Sequence, residues 1–172
     1  MVYNNKVLLG ITLVIILNFN SCKKYEENPS FVILPKNSRL IGEWEIIRIE
    51  GESVETYFNN LYSGNTYNGA LLYFNKINWI WDFEKDQDLD QDIQFIYSYT
   101  NTNYYGNTNS FTDTVSQKIS MTWEWEDHKR EIEIEQSNYY QTIRNDYEIL
   151  KLTNSEMKLK DENNVEWEFE KL

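Results

Sequence analysis

Few residues of this chain have side chains suited to catalysis. His128 is the single histidine, and it lies between Asp127 and Lys129 in a short polar stretch that is typical of a turn. A Ser-His-Asp arrangement needs an imidazole held in a fixed position, which a turn tip rarely provides. A zinc site needs more ligands than one His and one Cys, and the sequence has no glycine-rich phosphate loop. The sequence therefore predicts a protein that is not an enzyme and carries no cofactor.

A cluster of glutamates lies on what the pattern predicts to be the solvent-facing side of a sheet. These residues are Glu124, Glu126, Glu131, Glu133 and Glu135. Glycosidase-type chemistry requires instead a carboxyl in an apolar pocket, where its pKa is raised. Matching the apolar faces of the two strands predicts Glu124 opposite Glu131 or Glu133, and like charges in that position weaken a sheet. Either a solvated face tolerates this cost, or the patch recruits Ca²⁺ or a basic partner.

The sequence DQDLDQD at residues 86–92 places Asp86, Asp88 and Asp90 at the spacing of a calcium loop. An EF-hand would have Gly at the sixth position and Glu at the twelfth, where this chain has Gln91 and Tyr97. The three aspartates are weak candidates for metal ligands, and the polar end of a hairpin is the alternative interpretation.

The only cysteine, Cys22, follows an uncharged apolar run at residues 7–17 that Lys6 precedes. This order is typical of a secretory signal peptide. As a helix the run would rise only about 16 Å, against about 30 Å for a bilayer core, which favours its removal over a retained anchor helix. The stretch that ends in Ser21-Cys22 resembles a bacterial lipobox, and this resemblance implies acyl chains on Cys22. A free thiol or an intermolecular disulfide is the alternative.

The signal peptide, residues 1–21, is followed by a charged, proline-containing stretch at residues 22–39 that predicts a tether. Residues 40–172 are long enough for one domain with a core. The chain has 16 basic and 28 acidic residues and a net charge of −12. This balance argues against nucleic acid as a partner and against a domain lying flat on an anionic membrane.

The clearest alternation of apolar and polar residues runs from Val115 to Glu126. Its odd-numbered residues are apolar except Gln117, and none of its even-numbered residues is apolar, which is the period of a strand with one buried face. The same period recurs along the chain. The eight predicted strands are residues 41–50, 77–84, 91–99, 114–126, 131–136, 145–152, 156–160 and 164–171. Apolar residues at helical spacing after Ser53 predict one short helix at 53–61, between the first two strands.

In the last hairpin, matching the apolar faces predicts Leu159 opposite Val165 and Met157 opposite Trp167. The loop would then have three residues, with Asn163 in the left-handed conformation.

Gly42-Glu43-Trp44 resembles the G-x-W motif at the start of the first strand of lipocalins. The whole chain resembles the small lipocalin-like lipoproteins of Gram-negative envelopes. This resemblance implies an all-β fold, an eight-stranded antiparallel up-and-down barrel with one short helix after the first strand. It also implies that Gly42 and Trp44 plug the closed end and that a basic residue, Arg144 or Arg130, stacks on Trp44. A core tryptophan in a β sandwich is the alternative interpretation.

The resemblance further implies an outer-membrane lipoprotein, periplasmic or surface-exposed, that is held at the membrane by the lipid on Cys22 and binds a small hydrophobic molecule in its barrel, under the helix at 53–61. We expect the protein to be a monomer. The candidate lumen residues are Trp79, Trp81, Met121, Trp123, Trp125 and Trp167. The alternative is a non-catalytic module in which the Tyr- and Asn-rich stretches 57–68 and 97–109, read as loops at the barrel mouth, bind a glycan or another protein.

Overall fold

The computed structural model describes residues 34–62, 66–67, 70–102, 108–128 and 130–172. The predicted signal peptide, Cys22 and the tether as far as residue 33 lie outside the described residues. Within the described ranges the chain forms two short helices and ten strands. They are α1 Lys36–Leu40, β1 Gly42–Ile49, β2 Glu52–Ser53, α2 Val54–Leu61, β3 Thr66–Tyr67, β4 Ala70–Phe83, β5 Asp88–Thr102, β6 Thr108–Glu126, β7 Glu131–Ser137, β8 Thr142–Leu152, β9 Glu156–Asp161 and β10 Glu166–Lys171.

Eight of these strands close into the expected antiparallel up-and-down barrel. Strands β4 to β10 each pair with the next strand along the chain, β10 pairs with β1, and β1 pairs with β4 to close the ring. The two-residue strands β2 and β3 pair with β1 and β4 and stay outside the ring. The prediction of an all-β, eight-stranded lipocalin-like barrel with a short helix after the first strand is confirmed.

The alternation of apolar and polar residues explains which side of each strand faces the core. Residues Ile132 and Ile134 of β7 and Ile77 and Trp81 of β4 are buried, whereas their polar neighbours face outward. All six tryptophans belong to one core cluster or pack against it. The barrel is therefore stabilised chiefly by burial of large apolar side chains.

The two ends of the barrel differ. At the closed end, where β1 begins, α1 packs with Leu40 fully buried and Arg39 6% exposed. Residues 36–39, which the sequence assigns to the tether, therefore belong to the packed structure. At the opposite end, the mouth, α2 lies after β1 and β2. No helix in the described part of the chain is long and apolar enough to cross a membrane.

Strands β4, β5 and β6 reach further at the mouth than the sequence predicts. Most of the stretch 97–109, read as a loop, is strand: β5 continues to Thr102 and β6 begins at Thr108. Of the other Tyr/Asn-rich stretch, residues 57–61 belong to α2. Tyr and Thr favour strands. However, alternation detects a strand only when one of its faces is apolar, and this stretch has polar residues on both faces.

The last hairpin has a different register from the predicted one. Leu159 pairs with Trp167 and Met157 with Phe169. The turn is longer because the Asp161 carboxylate accepts hydrogen bonds from the backbone N–H groups of Asn163 and Val165, each at 2.9 Å. Asn164, rather than Asn163, has the left-handed conformation, with φ of 64°.

Candidate functional site

The closed end is built around Trp44, which is fully buried. Its indole Nε1 donates a hydrogen bond of 2.7 Å to the carbonyl oxygen of Leu40 in α1. A guanidinium nitrogen of Arg39 donates to the carbonyl oxygen of Leu152. The side chain that the G-x-W motif singles out therefore lies buried at this end of the barrel and is hydrogen-bonded to α1.

The basic residue over Trp44 is Lys171, with Nζ 5.0 Å from the ring centroid. Lys171 Nζ also donates to the carbonyl oxygens of Arg39 at 2.9 Å and Ile41 at 2.6 Å. Burial lowers the pKa of Lys171. The choice of Arg144 or Arg130 is wrong: Arg144 lies 2.8 Å from Glu135, and Arg130 Nη1 lies 3.8 Å from Asp127 Oδ2.

Gly42 is required beside this lysine for two reasons. Its φ of +117° is a conformation that side-chain-bearing residues rarely adopt, and a Cβ there would lie 3.1 Å from Cε of Lys171. The glycine and the tryptophan of the motif therefore serve one arrangement, in which the lysine passes over Gly42 to cover Trp44.

The six lumen candidates all face the interior. Trp81 and Trp123 are 1% and 4% exposed, and Trp79, Met121, Trp125 and Trp167 are partly buried against the same cluster. The Trp79 and Trp167 rings meet edge to face at 5.5 Å. The Nε1 atoms of Trp79 and Trp81 are buried and have no hydrogen-bond acceptor among the described residues.

Tyr147 brings a hydroxyl into this interior. Its ring packs edge to face on Trp81 at 5.6 Å. Burial, with smaller effects from the charges of Asp161 and Glu162, raises its pKa to about 12. The phenol therefore stays neutral at physiological pH.

The outer wall carries the acidic residues. Glu124 lies opposite Glu133, one of the two predicted pairings, and Glu133 lies opposite Asp146 on its other side. Burial, more than the neighbouring acids, raises the pKa of Glu133, and Arg144 opposes that rise.

The three aspartates at 86–90 do not converge on a metal site. Asp90 lies 2.8 Å from Lys118 Nζ and accepts a 2.7 Å hydrogen bond from Ser120, and the hydrogen bond from Lys118 lowers its pKa. Over the described ranges no group of three or more His, Cys, Asp or Glu side chains is placed to hold a metal ion. His128 lies in a turn with its side chain 95% exposed.

Helix α2 is fixed over the mouth by its own polar side chains. Ser53 caps its first turn by accepting from the Thr56 N–H at 3.2 Å. Asn59 makes two hydrogen bonds to the backbone of Phe74, donating to its carbonyl oxygen at 2.9 Å and accepting from its N–H at 2.7 Å. Glu55 accepts from the N–H of Ile77 at 3.0 Å. These bonds occupy the edge of β4 on both sides of a bulge between Phe74 and Lys76.

An apolar pocket lies between α2 and the inner faces of β4, β5 and β6. We call it the mouth pocket; its volume is about 260 Å³. It is lined by Phe58, Tyr62, Leu72, Phe74, Phe95, Tyr97 and Val115. Phe58 contacts most of this lining: its ring centroid lies 6.1, 5.9 and 6.2 Å from those of Tyr62, Phe74 and Phe95.

Sequence reasoning predicted a ligand under the helix at 53–61, but it named none of the residues that line the mouth pocket as ligand contacts. Phe58 is part of the predicted helix and Val115 of the predicted β6, and both were expected to face the core. The signal that could have found the pocket is the pair Leu72 and Phe74, which continue the inward alternation of β4 beyond residue 77 after a one-residue shift.

Comparison of the chain with protein-family models, with curated proteins and with solved structures finds no match. A proposal for the function must therefore be based on the fold and on the two ends of the barrel.

Proposed function

We propose that this protein is a non-catalytic binding protein that holds a small hydrophobic molecule in the mouth pocket. The observation that carries the proposal is the pocket itself: an aromatic and aliphatic lining at the edge of the packed core, open to solvent at the mouth. Pockets of this composition, with few polar groups around them, are typical of small-molecule sites.

The size of the mouth pocket limits the ligand. Its volume of about 260 Å³ exceeds the roughly 150 Å³ of a cavity that holds benzene and lies just under the roughly 300 Å³ at which drug-sized sites begin. A short acyl chain or one or two fused rings would fill it, and a longer molecule would extend into solvent.

Trp79 lies behind the lining of the mouth pocket. It packs against Phe58 with ring centroids 6.2 Å apart, and its indole Nε1 is buried. The lining itself is aromatic and aliphatic, so we expect affinity to follow the apolar area that the ligand buries.

Tryptophan fluorescence tests this proposal, because Trp79 lies beside the pocket. We expect octanoate, laurate and long-chain alcohols to change the emission saturably. Val115→Glu would place a carboxylate among the pocket's apolar walls and lower affinity at least tenfold, about 1.4 kcal/mol or more. Val115 is 46% exposed, so the variant should still fold.

The matched control is Thr114→Glu, the next residue along β6, which is exposed on the outer face. It changes the net charge equally and should leave affinity unchanged. No saturable change across the panel, or equal loss in both variants, would exclude the mouth pocket as the site.

We also propose that the protein acts as an outer-membrane lipoprotein anchored through Cys22. The described chain begins at the closed end, beside α1, so a tether from Cys22 would arrive there and the mouth would lie at the far end of the barrel. We expect Cys22→Ala to move the protein from the membrane fraction to the soluble fraction. Unchanged partition would place the anchor elsewhere.

One observation favours a second function at the mouth. Tyr139 and Tyr140, in the turn between β7 and β8, are 95% and 91% exposed, with their rings edge to face at 5.3 Å. Exposed tyrosines of this kind stack on sugars and on protein surfaces. If they form the binding surface, the Tyr139→Ser, Tyr140→Ser double variant should lose binding to an immobilised glycan panel while keeping the fluorescence response to fatty acids.

A further inference from the structure

One edge of β6 is open over much of its length. β6 pairs with β5 from Thr108 to Thr122, but β7 pairs with it only from Thr122 to Glu126. No described strand lies against the other edge of residues 109–121. Every residue from Asn109 to Lys118 is exposed, including those whose side chains point to the inner face.

The open edge carries the backbone groups of the even-numbered residues. Trp123 donates its N–H to the carbonyl oxygen of Gln87, on the β5 side. Because successive residues of a strand direct their N–H and C=O to opposite edges, those of Thr112, Thr114, Ser116 and Lys118 face away from β5. The Thr114 N–H is bonded to its neighbour's side chain, the Asp113 carboxylate, at 2.8 Å, as expected for an amide that faces no strand.

The opposite edge of these three strands, on β4, is covered by a helix. Asn59 and Glu55 of α2 occupy the edge of β4. Natural proteins protect long open edges with charges, prolines, bulges or a covering element. The β6 edge has no bulge against β5 from Thr108 to Thr122, and between residues 109 and 121 the only charged residues are Asp113 and Lys118.

We propose that this edge pairs with the same edge of a second copy of the chain, antiparallel and centred on Val115, so that the two three-stranded extensions form one continuous sheet. The stretch from Phe111 to Ile119 has the symmetry that such pairing requires. Along its inner face the order is Phe111, Asp113, Val115, Gln117 and Ile119, apolar and polar in an order that reads the same in both directions.

A register centred on Val115 matches all five of these residues. It places Val115 opposite Val115, Phe111 opposite Ile119 and Asp113 opposite Gln117, and on the outer face Lys118 lies opposite Thr112. Centring on Asp113 would oppose two carboxylates, and centring on Ser116 would set Asp113 against Ile119; both weaken a sheet. The matched register forms about eight backbone hydrogen bonds.

The pairing fits the rest of the fold. It ends at Ile119, before β7 takes over the same edge at Thr122. Two copies of a chain of net charge −12 repel each other overall, but the paired stretch itself brings no two acids together. The two closed ends point in opposite directions along the sheet, and a tether at residues 22–35 can reach about 45 Å, so both copies can be anchored in one membrane while the acidic domains stay above its surface.

Crosslinking tests the register directly, using the full chain with Cys22→Ala so that an introduced cysteine is the only thiol. Val115→Cys lies opposite itself at the two-fold axis, within the Cα separation that a disulfide spans. We expect mild oxidation to give a covalent dimer. Gln117→Cys, on the same face two residues further, lies opposite Asp113 and should stay largely monomeric. Equal crosslinking of both variants, or none of Val115→Cys, would overturn the proposal.

Sedimentation velocity with the wild-type cysteine replaced provides the second measurement. We expect a reversible dimer that Ser116→Pro weakens at least tenfold, since proline removes an edge N–H and leaves the β5 ladder intact. Circular dichroism checks that this variant folds, and unchanged fatty-acid binding separates it from the mouth pocket. A protein that stays monomeric at all concentrations would contradict the proposal, whether its edge amides exchange freely or are protected by another segment of the chain. A dimer that Ser116→Pro does not weaken would also contradict it.

Discussion

The closed end and the mouth of this barrel use aromatic residues in opposite ways. At the closed end Trp44 is fully buried, hydrogen-bonded to Leu40 and covered by Lys171. At the mouth the aromatic residues Phe111 and Tyr73 are 47% and 59% exposed. The same residue classes thus stabilise one end and form surface at the other. Under the proposed function, stability and recognition would lie in different parts of one sheet.

The closed end and the mouth also differ in the number of charged residues. The outer wall near the closed end brings Glu124, Glu133 and Asp146 side by side. In the extension of β4, β5 and β6 beyond the barrel, residues 70–76, 95–102 and 108–115, the only charged residues are Lys76 and Asp113. A nearly uncharged, aromatic segment on an acidic protein is suited to contacts with apolar molecules or with another strand.

The largest difference between the ends should appear on truncating an aromatic residue at each. Trp44→Ala leaves a cavity, strands the carbonyl of Leu40 and removes the surface that Lys171 covers, so we expect a loss of about 3–5 kcal/mol in the free energy of unfolding. Phe111→Ala, at the mouth, should cost less than about 1 kcal/mol. Urea denaturation measures both. Similar losses would mean that the mouth contributes as much to stability as the plug.

A smaller effect is expected where α2 covers the β4 edge of the mouth. Asn59→Ala leaves the N–H and carbonyl of Phe74 without their side-chain partner, and an unsatisfied buried group costs about 1–3 kcal/mol. Asn60→Ala is the control: Asn60 is the next helical residue and is exposed, and its side-chain amide donates to the Glu52 carboxylate at 2.9 Å instead of bonding the backbone of β4. Urea denaturation and hydrogen exchange at Phe74 should show the difference, and equal destabilisation would mean that α2 does not protect the β4 edge.

The smallest effect concerns the acidic wall. Glu133→Gln removes a carboxylate that faces Glu124 and Asp146, and we expect about 0.5 kcal/mol of stabilisation at neutral pH. The folded-state pKa of Glu133 is raised above its usual 4.5, so the folded chain holds this proton more tightly than the unfolded chain. Its contribution to stability is complete below about 4.5 and is lost as the pH rises through the folded-state pKa. The gain from Glu133→Gln should therefore shrink as the pH falls and vanish below about 4.5.

Glu135→Gln is the control for that measurement, since Glu135 lies 2.8 Å from Arg144 Nε. It should leave stability unchanged or lower it slightly. Urea denaturation of the three proteins across this pH range separates the cases, and destabilisation by Glu133→Gln at neutral pH would show that Arg144 outweighs the acids around Glu133.

The sequence predicted the barrel well where one face of a strand is apolar and the other is charged. The segment 115–126 and its partner 131–136 were placed because Ile and Trp alternate with Glu. Residues 95–99 and 114–115 of the extension were predicted as strand, but the rest escaped prediction because Tyr, Thr, Ser and Asn occupy both faces, and alternation is informative only where burial differs between faces.

The candidate site was predicted in part. The motif identified Gly42 and Trp44, but the cation over Trp44 depends on the pairing of β1 with β10, which brings Lys171 opposite Trp44, and spacing along the chain does not reveal that pairing. The mouth pocket likewise depends on where Asn59 docks α2 on β4, a contact between residues that show no pattern in sequence.

Hydrogen exchange with and without saturating laurate tests most directly the claim that recognition belongs to the mouth. We predict slower exchange in α2 around Phe58 and in β4 to β6 around Phe74, Phe95 and Val115, with the amides around Trp44 unchanged. Protection that appears at the closed end and spares the mouth would contradict the account.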